Sequence, residues 1–519
     1  MRSSSWAVAL SVVLSLPAAA VSAPKPAPKD APRGAKGSQK AHGKDAPKTF
    51  IAVPFARGAG VPGWLSVAAA ESLYDALVQQ PDATFISQKQ LDSVLRRVDL
   101  TLDDPRVAEQ ARRFERALGA TEELSGTLAL SGDTYTIEAR WTHVSDGAVV
   151  KKATATGTAD DLAKVLNELA RTLLDEKPAA RTADTQALES VTRCALLLER
   201  QAIGPKARPT LTKERLDPVE GVCAGALTDD AQQGLAHAYM SIVHSLRGKF
   251  PEAHKDAAAA QAGRFVPMGA LAEWFALRRA GDNAAAAKAL EAVVQAHPGF
   301  LHALGYLGEE REEAGDDAGA LVYWTRYLER SPGHPYATAR AARAWARLGK
   351  KEEAVKLTQA SAARDPGNVE LQIELASRHL DAGHTAEAES ILERAAAHIP
   401  PRPLAALRLG WLYFNQGKNG PAREQLERAA ALATRQDESR TRAIAHSDLA
   451  LLNGREDKPE AVVESLYAAT RAGLRKLPCD APELAKYKGQ TDFDQACAAA
   501  PTGVGDESID DEEVAPIEQ

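Results

Sequence analysis

The sequence predicts a mostly helical chain, with an α/β amino-terminal domain followed by an α-solenoid of about six to seven stacked helix pairs. Three observations predict it. Gly281, Gly315, Gly349, Gly383 and Gly417 lie 34 residues apart, and Gly248 precedes them by 33. Five residues after each glycine stands an alanine (Ala253, Ala286, Ala320, Ala354, Ala388, Ala422), and prolines recur at Pro298, Pro332, Pro366 and Pro400. Ahead of this array, period-two apolar runs alternate with runs of three- and four-residue spacing, the pattern of strands mixed with helices. Composition agrees. With 519 residues, 45% hydrophobic and 5% aromatic, the chain can fill two or three packed units, and its abundant alanine suits close helices better than stacked sheets.

From the start of the chain, residues 1–20 read as a signal peptide. Arg2 precedes an apolar run over 6–16, and Ala18-x-Ala20 supplies a small-x-small cleavage site. That run is shorter than the ~20 residues of a spanning helix. No other segment is long and apolar enough to span a bilayer, and no cysteine near the cleavage site could carry a lipid. The mature chain is therefore expected to be periplasmic or secreted, with no transmembrane segment. Residues 21–47 form a Pro/Lys-rich linker: the stretch 24–48 holds seven Lys/Arg against two Asp. The tail 506–519 holds seven acids and no base. Both lack the apolar residues of a core and are expected to be disordered. The linker reads as a solvated spacer, with weak contact to anionic lipid or cell wall as the alternative. A net charge of −7 argues against nucleic acid as partner.

Residues 48–177 read in the order β-α-β-α-α-β-β-β-α. TFIAVPFA and ATFIS are strands, WLSVAAAESLYDALVQQ is a helix, and SQKQLDSVLRRVDL and DPRVAEQARRFERALGA are two more. LSGTLALSG, DTYTIEARWTHV and AVVKKATATGTA alternate as strands around turns at Ser131-Gly132-Asp133 and Ser145-Asp146-Gly147, and ADDLAKVLNELARTLLD closes the unit. The opening IAVPF, the helix with ESLYDALVQ, the Gln-Leu-Asp of SQKQLDSVLRR and the run LGATEELSGTLALSGDTYTIEARWTHVSDGAVV resemble the TolB amino-terminal-like family. That family is related to periplasmic domains of the curli secretion pore and of the flagellar outer-membrane protein. The resemblance implies an envelope recognition or assembly module, not a catalyst. Gly58, Gly60 and Gly63 spell G-x-G-x-x-G, but Pro54-Phe55-Ala56-Arg57 separate them from the strand, and Pro62 removes a donor a phosphate would use. They read as a loop, and no cofactor is expected.

A 34-residue helix–turn–helix unit is similar to the tetratricopeptide repeat. The glycine permits the turn, the alanine lets two helices approach, and the proline ends the second helix. The solenoid is placed at 233–475, after a helical connecting segment at 178–232, with a seventh unit five residues out of phase. A cysteine-stapled segment follows at 476–505. The first helix of each pair lines the inner surface of such solenoids. The resemblance assigns to that groove Tyr336, Arg340, Arg343 and Arg347 in the fourth repeat and Leu404, Leu407, Trp411 and Phe414 in the sixth. Trp411 and Phe414 either meet a partner or pack beneath a capping helix. Trp324, Trp345 and Tyr413 fall at interior positions. Phe275, Glu309, Arg343, Ser377 and Trp411 occupy the position where carboxylate-clamping repeats carry asparagine, so no such clamp is expected.

Cys194 and Cys223 flank the entry to the solenoid, and Cys479 and Cys497 flank its exit. Seven helix pairs at ~10 Å per layer separate the groups, beyond the ~7 Å Cα–Cα limit of a disulfide. The pairs Cys194–Cys223 and Cys479–Cys497 follow. The sequence contains no nucleophile elbow, H-E-x-x-H, phosphate loop or calcium loop. His379 and His384 straddle a turn and make a poor metal pair. The reading is a non-enzymatic exported adaptor that holds protein or peptide partners in the cell envelope. A regulator of cell-wall or surface-structure assembly, and an envelope hydrolase with dispersed catalytic residues, are the alternatives.

Overall fold

A computed structural model describes residues 48–499 apart from 79, 81–82, 87–89, 92–94, 96–99, 110, 112–114, 116–117, 176–184, 201–212, 230–233, 263–265, 365, 400 and 435–437. The signal-like segment, the basic linker and the acidic tail lie outside these residues.

The α/β part is built on a mixed sheet of β1 (Thr49–Ala52), β2 (Ala56–Arg57), β3 (Thr84–Ile86), β4 (Glu122–Ser131), β5 (Thr134–His143) and β6 (Val149–Gly157). The order is β3-β1-β4-β5-β6, with β2 beside β4. Ile51 of β1 pairs with Ile86 on one side and Glu123 on the other, both in parallel, while β4, β5 and β6 form an antiparallel meander. Parallel neighbours require a crossover, and α1 (Gly63–Val78) provides the first. Of the two helices expected between β3 and β4, the described residues show helix at Gln90, Leu91 and Leu95 and in α2 (Arg106–Glu109). After β6, α3 (Leu162–Leu174) joins α1 on one face, burying Leu65, Leu73, Leu124, Ile137, Leu166 and Leu169 together. Ile51, Val53 and Ile86 face the other way, against Leu91, Leu95, Leu100 and Val107.

The strand β2 was not foreseen. It lies immediately before the glycine motif: Ala56 and Arg57 pair with Thr127 and Leu128, and the Gly58 N–H donates to the Leu128 carbonyl at 2.8 Å. The turn at Gly60 (φ 80°) then leads into α1. Strand and helix are thus separated by an extra ladder, where a dinucleotide turn would join them directly.

Eight helix pairs follow. The first, α4 (Thr185–Arg200) with α5 (Lys213–Asp229), falls in the segment read as a connector and stacks directly on the array. The others are α6 (Gly234–Leu246) with α7 (Phe250–Ala262), α8 (Val266–Ala280) with α9 (Asn283–Ala296), α10 (Leu301–Glu313) with α11 (Asp317–Arg330) and α12 (Pro335–Arg347) with α13 (Lys351–Arg364). Then come α14 (Val369–Asp381) with α15 (Thr385–Ala396), α16 (Pro403–Asn415) with α17 (Asn419–Leu432), and α18 (Ser439–Arg455) with α19 (Pro459–Arg471). Each periodic glycine sits at positive φ, from 72° to 87°, at the turn inside its pair, where a side chain would be strained. The alanine five residues on is at most 1% exposed in all six repeats, because the partner helix packs directly on it. Gly308 does the same service from the facing helix α10: a Cβ there would lie 2.5 Å from the Trp324 ring of α11.

The seventh unit is shifted by six residues, not five. Its turn residue is Asp457 (φ 58°), 40 positions after Gly417 instead of 34, and four of the extra residues lengthen α18, which has 17 residues against 13 in α16. Below it, the turn Pro482–Tyr487 and α20 (Thr491–Ala498) close the stack with Leu484, Tyr487 and Phe493. Both disulfides form in the expected pairs: Cys194–Cys223 ties α4 to α5 (Cα–Cα 5.0 Å), and Cys479–Cys497 ties the closing segment to α20 (6.1 Å).

The α/β part is not a separate bead. Phe85 forms a parallel bridge with Phe300, the Thr49 hydroxyl donates to the Arg330 carbonyl at 2.8 Å, and the Gln90 amide donates to the Tyr327 hydroxyl at 2.6 Å. Gly299 approaches so closely that a Cβ would lie 1.8 Å from the Ala83 oxygen. A second contact is made near the first helix pair, where the Thr192 hydroxyl donates to the buried Glu71 carboxylate at 3.3 Å. One apolar cluster runs from Phe50 through the sheet to Ala344 in α12.

Candidate functional site

The first helices of four successive pairs, α10, α12, α14 and α16, set their sixth residues in a row, Tyr306, Arg340, Glu374 and Arg408, and the longer α18 continues it with its tenth, Asp448. The first four are 34 apart, and the last is displaced by the six-residue insertion. The charged members alternate in sign, and their surroundings explain how they are tolerated inside. Arg340 is 7% exposed and pairs with Glu312 at 2.7 Å. Glu312 is itself buried, accepting the Trp324 indole N–H at 2.5 Å and facing Arg347 at 3.4 Å. Glu374 lies between Arg343 (3.7 Å) and Arg378 (3.2 Å), and Arg378 reaches on to Asp381 at 2.9 Å. Arg408 is held below its ordinary pKa by burial, opposed by Glu374 and Asp448 within electrostatic reach. Burial raises Asp448 to about 8, against the pull of Arg408.

Of the residues assigned to the groove, Tyr336 is 40% exposed, its ring edge-on to Trp324 and its hydroxyl donating to Glu309. Arg343 is half-buried beside Glu374, and Arg347 is exposed with its guanidinium on Asp317 at 2.7 Å. Arg340, Leu407 and Phe414 are buried, and Leu404 is half-buried. Trp411 is half-buried and stacks on Phe414 (centroids 5.2 Å apart). Phe414 in turn lies under the Arg455 guanidinium, 3.6 Å away, beneath α18. Of the eight, Tyr336, Arg343, Arg347, Leu404 and Trp411 keep part of their surface exposed. Trp324 is core as expected, whereas Trp345 and Tyr413 are half-buried, covered by Lys350 and Lys418. His302 and Tyr306, stacked 5.3 Å apart, continue the inner wall upstream with Tyr306 lying on Trp274. The sequence reading did not assign Tyr306 to the wall, although a 34-residue step back from Arg340 reaches it.

The buried acid makes stability depend on pH with a definite sign. In the folded chain Asp448 keeps its proton up to about pH 8, while an unfolded aspartate loses it near 3.8. Between those values the folded state binds more protons, so stability from this group is present at low pH and is lost as pH rises through 8. Asp448→Asn removes that slope. Urea midpoints of both chains at pH 6 and pH 9 will show a smaller loss in the variant; equal losses would place the pH response elsewhere, for example at Glu71, which burial raises to about 7.

Among the described residues no cluster of three or more His, Cys, Asp or Glu is arranged to hold a metal ion, and no helix is long and apolar enough to cross a membrane. The His379 and His384 rings approach at Nδ1–Nδ1 3.3 Å, and the other ring nitrogen of His384 faces Glu352 at 3.4 Å.

The tetratricopeptide repeat family profile matches residues 379–442. Among solved structures the chain is similar to a tetratricopeptide repeat protein of Parabacteroides merdae, at 15% identity and TM-score 0.36, covering 52% of this chain and 99% of that one. It is also similar to a thermophilic protein of the same repeat class from Thermus thermophilus, at 18% identity and TM-score 0.28, covering 38% and 98%. The human IFIT1 dimer with m7Gppp-AAAA matches at 14% identity and TM-score 0.37, covering 60% and 70%. No curated protein matches the chain.

Proposed function

We propose that this tetratricopeptide-repeat protein is a non-enzymatic adaptor of the cell envelope, taking a protein or peptide partner along the inner wall of its solenoid. The observation that carries the reading is the wall itself. Tyr336, Arg343 and Arg347 stand on α12 and Trp411 on α16, both first helices of their pairs, and all four keep part of their surface open. Aromatic and arginine side chains of this kind supply most of the energy at protein interfaces. An envelope location is supported by the signal-like segment 1–20 and by two disulfides, which persist in oxidising compartments. The resemblance of the α/β part to the TolB amino-terminal-like family supports a role in envelope assembly, with regulation of cell-wall or surface-structure assembly as the more specific form.

The test uses a photo-crosslinking residue placed in living cells at Tyr336, Arg343 or Trp411, with Lys356 on the exposed outer face of α13 as control. The groove positions are expected to capture one common partner that Lys356 does not. Arg343→Glu with Trp411→Ala should then weaken that capture at least tenfold, ~1.4 kcal/mol, with thermal unfolding measured as a control on the fold. Identical capture from Lys356 would defeat the groove reading. Unchanged capture by an intact double variant would move the contact to the α/β part.

A further inference from the structure

The last helix pair carries a cationic rim. Arg440 and Arg442 open α18 and Arg471 ends α19, so the antiparallel pair brings them to one end, where Arg442 and Arg471 both act on the His446 ring. Arg475 and Lys476 follow within five residues of Arg471, and Arg471, Arg475 and Lys476 are exposed. Near these five cations stand the acids Glu438, Glu464 and Asp480, the last within electrostatic reach of Lys476. Whatever internal partners the arginines take, the rim keeps a net positive excess.

The same end is where the described chain runs out. Cys497 is bonded to Cys479, three residues after Lys476, with Cα atoms 6.1 Å apart, and Ala499 is two residues further on. The stretch Asp506–Glu513, sequence DESIDDEE, then places six carboxylates within eight residues. Asp506 lies seven positions beyond Ala499, a span of up to ~25 Å, and Ala499 itself lies no more than ~25 Å from Lys476. The acids therefore reach the rim without strain.

We propose that the acidic segment 506–513 docks on the cationic rim formed by Arg440, Arg442, Arg471, Arg475 and Lys476 of its own chain. Charge complementarity and the short tether select this occupant: a tethered segment meets the rim at a high effective concentration.

Zero-length carbodiimide coupling of the full-length chain at low ionic strength, followed by peptide mapping of the monomer, tests the contact. Acids of 506–513 should be joined to Lys476. The yield should fall about tenfold (~1.4 kcal/mol) in Arg471→Glu/Arg475→Glu and likewise at ~0.5 M salt, where charges more than a few ångströms apart are screened. Circular dichroism of the variant confirms that its helices persist. Coupling to the linker lysines 25–44 instead, coupling only between chains, or a yield indifferent to the charge reversal overturns the proposal. If the tail contact holds while the groove variants leave capture unchanged, the groove reading alone fails.

Discussion

Glu312→Ala is expected to cost about 3–5 kcal/mol, the penalty for breaking a buried ion pair from one side. The carboxylate is 2% exposed at its side chain and serves three donors at once: Arg340, Arg347 and the Trp324 indole. Its removal leaves the Arg340 guanidinium enclosed without its counter-charge and the indole N–H without its acceptor. Stability in a stacked array is held repeat by repeat and between neighbours, so the loss should appear first as early unfolding of the third and fourth repeats. Trp324 fluorescence during urea unfolding reads this directly. Glu312→Gln, which keeps an acceptor but not the charge, separates the hydrogen bond from the ion pair. A shift below ~1 kcal/mol for Glu312→Ala would mean that water or a rearranged neighbour replaces the carboxylate.

Removing both disulfides is expected to loosen the two ends of the stack while leaving its middle intact. The bridges close loops with sequence separations of 29 and 18 residues, and chain entropy assigns each roughly 3–4 kcal/mol. Hydrogen exchange on the reduced chain, or on one with alanine at all four positions, should show faster opening in α4, α5, the turn Pro482–Tyr487 and α20. Protection in α10 to α15 should not change. Uniform loss across the whole array would contradict the assignment of the bridges to terminal caps.

The solenoid was legible because its constraints repeat. A glycine at positive φ and an alanine under a partner helix are required at the same point of each pair, so they return every 34 residues. Where the constraint was met by another residue the reading slipped: Asp457 takes the turn position in the seventh unit, and without a glycine there the offset was misjudged by one. The alternating row Arg340, Glu374, Arg408 was visible in the same period, but it emerges only when charge, and not glycine or alanine, is followed in steps of 34. Burial of Leu407 and Phe414 was not legible, since apolar residues on a groove wall and beneath a capping helix look alike in sequence. The join between the sheet and the repeats left no pattern either. It is made by a backbone bridge and by contacts 281 and 237 residues apart in sequence, such as Thr49 to Arg330 and Gln90 to Tyr327.

That join also sets the mechanics of the molecule. Stacked helix pairs bend and twist as an elastic coil, each pair adding a small compliance. Here the α/β part spans from Thr192 in α4, met by Glu71 of α1, to the residues around Phe300, Arg330 and Tyr327, and so is expected to splint the leading pairs as a brace does. The coil is expected to open or tighten mainly beyond α12, in the stretch that carries Glu374, Arg408 and Trp411. A pulling force or an ill-fitting guest would be absorbed there, while the braced half holds its curvature.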